Sequence, residues 1–147
     1  MALADYQPEV RVIQLAKTSF TVRGLSLTDV TTLIREHLPD LESLVDIAGE
    51  VVPDINNVTH DDLGRIAISL AEQAPGFVAN LIALAADATD EKSVSAALKL
   101  PFPVQVKALV EIADVTFAEV GGVKKAVESI AGLMKMKQAQ INRTTDQ

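Results

Sequence analysis

Ser19-Phe20-Thr21-Val22-Arg23-Gly24-Leu25-Ser26-Leu27-Thr28-Asp29-Val30 decides the fold, because two hydrophobic periods meet inside it. Ser19–Arg23 partly alternates, as does Val10-Arg11-Val12-Ile13-Gln14-Leu15, with Ala16-Lys17-Thr18 between the two runs. That pattern predicts a small β-hairpin. Gly24 punctuates, and beyond it Leu27, Val30, Leu33 and Ile34 form one stripe at helical spacing. Ser26 suits an N-cap, and Asp29 places a carboxylate where the helix start is positive.

Downstream the period stays helical. The first helix is expected to end near His37, since Pro39 disfavours helical geometry at Leu38. A second runs from Pro39-Asp40 with Leu41, Leu44, Val45 and Ala48 on its inner face, followed by a loop over Pro53–Val58. Thr59 caps a third, whose Leu63, Ile66, Ala67, Leu70 and Ala71 make an amphipathic face. After Pro75-Gly76 the stretch Phe77–Ala86 is apolar nearly all round, as befits the centre of a bundle or an interface. A short helix from Thr89-Asp90-Glu91 through Leu98 comes next, and Pro101-Phe102-Pro103 forces another break. Val106, Leu109, Val110, Ala113, Phe117 and Val120 line the helix that Gly121-Gly122 ends; Val123, Val127, Ile130 and Met134 mark the last one. The expectation is a mainly α protein, one compact domain over 1–147 with about six helices: a β element at 10–24, helices at 26–137 and a polar tail at 138–147.

Composition agrees with that reading. The chain has 147 residues, long enough to bury a core without disulfides, and 48% are hydrophobic while only 3% are aromatic. Ala, Val, Leu and Ile carry the hydrophobicity, which favours packed helices over an aromatic-rich sandwich. There is no cysteine, which excludes a disulfide scaffold, a thiol nucleophile and Cys-based metal sites. Met1–Glu9 carries Asp5 and Glu9 and does not read as a signal peptide. The longest uncharged stretch, Gln73–Ala86, falls short of the ~20 residues of a membrane helix, so no membrane partner is expected. Mean hydropathy is nevertheless +0.24, an excess that must be buried in a core, a partner or both.

Charge is uneven. The net charge is −7, which argues against nucleic acid as a partner. Ser26–Glu91 holds thirteen acidic and two basic residues, whereas Lys92–Gln147 holds eight basic and five acidic. Such asymmetry can hold two halves of one molecule together, the plainer reading, or neighbouring copies head to tail.

The catalytic inventory is thin. His37 stands at a helix C-terminus, where a cation is favourable. His60-Asp61-Asp62 resembles a metal or acid–base cluster, but adjacent helical residues diverge by about 100° each and do not converge on one ion. Asp54-Ile55-Asn56-Asn57-Val58 begins like a calcium loop and fails at Val58 and Thr59. Gly24-Leu25-Ser26-Leu27 lacks the closing glycine of a nucleophile elbow, and Gly121-Gly122 before Lys124 lacks the spacing of a phosphate loop. The basic tail carries Lys124, Lys125, Lys135, Lys137 and Arg143 without an aromatic residue on its apolar face. No catalytic residue, cofactor or metal site is expected.

The opening stretch, continued through Leu33-Ile34-Arg35 to Asp40-Leu41-Glu42-Ser43-Leu44, resembles the start of the tail assembly chaperones, or pre-tape-measure proteins, of long non-contractile-tailed bacteriophages. The likeness covers about residues 19–45. It implies a non-enzymatic protein of the host cytoplasm, not retained in the mature virion, that binds the tape measure protein, keeps it soluble and promotes tail tube assembly. It further implies homo-oligomers and, as partners, a frameshifted longer form and the tail tube protein. The alternative is a small structural or adaptor protein retained in the tail. An enzyme using His60, Asp61 and Asp62 is a third reading, and the weakest. For a chaperone, helix-in-groove binding on an apolar surface is the physical expectation. The contact candidates are Phe77, Val78, Leu81 and Ile82, with Val127, Ile130 and Met134 on the last helix; each of the seven also reads as core, the more ordinary role.

Overall fold

A computed structural model of the chain describes residues 2–54, 57–118, 121, 122, 125, 136 and 139. After a short 3-10 turn at Leu3–Asp5, the described elements are β1 (Val10–Gln14), β2 (Ser19–Arg23), α1 (Leu27–Val51), α2 (His60–Gln73), α3 (Pro75–Ala85), α4 (Glu91–Leu98) and α5 (Phe102–Phe117). The protein is mainly α with an N-terminal hairpin, as the change of period at Gly24 predicts. The predicted last helix, with Val127, Ile130 and Met134, lies outside the described residues.

The hairpin is antiparallel, pairing Val10 with Arg23 and Ile13 with Phe20. Its inner face buries Ile13 and Val22 completely, and α5 packs across both strands. Gly24 follows where α5 comes close: a Cβ there would stand 3.0 Å from the Thr116 Cα, so a larger residue would push the α5 backbone away by a few tenths of an ångström.

Caps set the helix starts. At α1 the Ser26 side chain accepts from the Asp29 amide, and Asp29 Oδ2 accepts from the Ser26 amide at 2.8 Å, a reciprocal capping box. Thr59 and Asp62 repeat the device at α2, and Asp90 caps α4 through the Ser93 amide. α3 instead begins on Pro75, and α5 has Pro101 at its N-cap and Pro103 in its first turn, where the missing N–H is no loss. So Pro75 opens α3 two residues before the expected start, and α2 and α3 meet at 119°.

As predicted, the helix that starts at Leu27 breaks at His37 (φ −135°, ψ 33°), two residues before Pro39, and resumes beyond it; the two segments together are α1. Pro39 supplies no N–H to the preceding turn and its ring crowds that turn's carbonyl. On α5 one expectation is corrected: the buried line is Gln105, Ala108, Leu109, Ile112 and Val115, turned about one residue from Val106, Val110, Ala113 and Phe117, which are half-buried; Leu109 is buried as predicted, and Val120 lies outside the described residues. Gln105 explains the rotation: its Nε2 donates to the Ala97 and Leu98 carbonyls, closing the C-terminal end of α4.

α3 is the centre, touching α1, α2, α4, α5 and β2. Seven of its eleven residues are buried, from Phe77 to Ala85. α1, by contrast, packs chiefly on α2 and α3 among the described elements.

Candidate partner-binding face

Arg23, last residue of β2, fixes where α1 begins. Its Nη1 donates to Asp29 Oδ2 at 2.6 Å and its Nη2 to Asp87 Oδ1 at 2.8 Å, with further bonds to the Gly24 and Leu84 carbonyls. Asp87 sits just past α3 at φ 55°, while the Ala88 amide reaches the Ala83 carbonyl and the Asp87 amide that of Leu84. That is a Schellman close with aspartate where glycine is usual, and it turns the carboxylate toward Arg23. Burial pushes the Asp29 carboxyl up, but the hydrogen bonds from Arg23 and Ser26 outweigh it and hold it below the usual carboxylate range. The guanidinium is raised above its ordinary value by its bonds to Asp29 and Asp87. Hairpin, α1 and α3 are thereby tied at one point.

With that anchor set, α1 turns Leu33 and Ile47 inward and leaves a second apolar line outward. Leu27 is 84% exposed, Val30 39%, Ile34 48%, Leu38 49% and Val45 70%. Their spacing is three, four, four and seven residues, so they share one side of the helix, with half-buried Leu41 among them. Broken at His37, the line runs in two segments, Leu27–Ile34 and Leu38–Val45, each about 10 Å long at 1.5 Å per residue. Exposed apolar residues grouped in this way make the face a candidate interaction surface.

The sequence candidates fall elsewhere. Phe77, Val78, Leu81 and Ile82 are only 2, 0, 8 and 2% exposed. They build the centre of the core, because five elements surround α3, and no partner reaches them without opening it. Val127, Ile130 and Met134 lie outside the described residues. The sequence showed the Leu27–Ile34 and Leu41–Ala48 stripes but not which side lacks cover; Val45, expected on the inner face, is instead exposed, because the α1 neighbours cover the side that carries Leu33 and Ile47. Arg23 with Asp87 gave no signal at all, since the pair is 64 residues apart and Asp87 does not advertise a left-handed turn.

The polar side chains already have structural work. Asp62 is held below the usual carboxylate range by the Thr59 amide and then by Arg65, so it is a cap rather than an acid–base group. His60 Nε2 faces Asp114 of α5 at 3.3 Å, away from that carboxylate's role. His37 Nδ1 lies 3.3 Å from Asp40 and its ring meets Phe77 edge-on at 5.5 Å. In the recess beside Gly24, Thr116 Oγ1 accepts from the Leu25 amide and donates to the Ile112 carbonyl. Among the described residues no three His, Asp or Glu side chains gather as a metal site, and no single helix is long and apolar enough to cross a membrane.

Fold and surface define a helical protein with an outward apolar face on one broken helix. Its whole length, residues 1–147, matches the family described as pre-tape measure protein. The chain belongs to that family and is a bacteriophage tail-related protein. No curated protein and no solved structure matches it.

Proposed function

We propose that this chain is a tail assembly chaperone that works by binding and not by catalysis, covering apolar helices of the tape measure protein along the outer face of α1. The observation that supports it most is the pairing of a sealed centre with the open line Leu27, Val30, Ile34, Leu38 and Val45. Apolar client helices lose their exposed stripe against that line, and the acidic balance of −7 keeps the complex soluble. Membership of a family named for the tape measure protein points to the same client. Action is in the host cytoplasm, before the virion is complete.

Co-expression tests the reading. The tape measure protein alone is expected in the insoluble fraction, and with this chain in the soluble one. The variant Leu27→Asp with Val45→Asp is expected to fold and to lose that effect. Unchanged client solubility with the natural chain overturns the proposal. Finished virions are expected to lack the chain; finding it there in stoichiometric amount supports a retained tail component instead.

A further inference from the structure

The open face of α1 is not electrically uniform. Around Leu27, Val30 and Ile34 the exposed neighbours are Thr28, Thr31 and Arg35. Around Leu38 and Val45 they are Glu42, Asp46 and, one turn on, Glu50, all exposed. These three carboxylates stand at four-residue steps, so they form one row along the helix beside the apolar line. Like charges at that spacing repel. Among the described residues none of the three has an ion-pair or hydrogen-bond partner, and the last turn of α1 contains no basic residue. The helix C-terminus adds its own partial negative charge to the row.

We infer that a client helix received over residues 38–51 of α1 carries lysine or arginine along its flank, whereas one received over residues 27–35 is uncharged or mildly acidic. This rests on the reading of α1 as the docking face and gives its partner's chemistry. An apolar stripe alone would fit any amphipathic helix. The carboxylate row admits a basic-flanked helix and repels an acid-flanked one, because juxtaposed like charges are a strong bar to association. The row thus acts as a filter on clients that are equally apolar.

Two short peptides, each held helical by a side-chain staple, test this against the full-length chain. Both carry the same leucine and isoleucine stripe; one is flanked by lysines, the other by glutamates. The lysine peptide is expected to bind about tenfold tighter at low salt, as two or three exposed pairs provide. Its advantage is expected to shrink at high ionic strength. The variant E42K/D46K/E50K is expected to reverse the preference, while its circular dichroism and Tm show an intact fold. Equal affinity of the two peptides, with both weakened by Leu38→Asp and Val45→Asp, overturns the charge filter and leaves α1 as the docking face. Binding by neither peptide, or binding that those α1 substitutions do not weaken, overturns both.

Discussion

α1 and α3 are both rich in Leu, Ile, Val and Ala, and they meet opposite fates. α3 is enclosed by four helices and a strand, so even a helix apolar on every side disappears into the core. Among the described elements α1 has chiefly α2 and α3 against it, and its apolar face is wider than that cover. The lesson is that hydrophobicity along a helix measures how much it could bury. How much it does bury depends on how many neighbours surround it, and the surplus is where a partner belongs.

Substitutions separate the two regions. The largest effect is expected from Phe77→Ala in α3, where loss of a fully enclosed ring costs about 3–5 kcal/mol. A Phe77→Ala protein with an unshifted Tm would break the contrast. Next comes Asp29→Asn, which removes the carboxylate from both the capping box and the Arg23 pair; about 2–3 kcal/mol is expected, below a fully buried pair because Arg23 keeps Asp87.

The same carboxylate gives a pH signature. Its pKa is lowered on folding, so its contribution is complete above the unfolded value of about 3.9 and is lost as the pH falls through the lower native value. Denaturant titrations at descending pH are expected to show this loss in the natural chain and a flatter acid limb in Asp29→Asn. Thr59→Ala is expected to cost about 1 kcal/mol through the α2 cap, a Tm fall of a few degrees. The smallest stability effect belongs to the outer line: Leu27→Ser and Val45→Ser are each expected within about 0.5 kcal/mol of the natural chain, read by urea unfolding, yet to weaken client binding. Large destabilisation by either would mean that α1 is covered after all.

Local signals were legible before any coordinates. Ser26 and Thr59 announced two N-caps, Gly24 the passage from strand to helix, and Pro39 a break in α1; that Asp29 and Asp62 complete reciprocal capping boxes came from the structure. Each depends on neighbours a few residues apart, where spacing alone decides the chemistry. What stayed hidden was long-range. Arg23 finds Asp87 only after α3 has folded, and Gln105 is a core residue only because α4 ends above it. The candidate face was hidden for the same reason: Phe77 and Leu27 are both large and apolar, and only the arrangement of other helices makes one central and the other bare.

The break at His37 has a mechanical consequence. A straight rod laid along α1 can follow residues 27–36 or 38–51, but not both. Each stretch is about 15–20 Å long, room for roughly three or four turns of a guest. On the proposed reading, such short footholds would grip loosely and let go quickly, so firm attachment to a long rod would need many of them in series along its length.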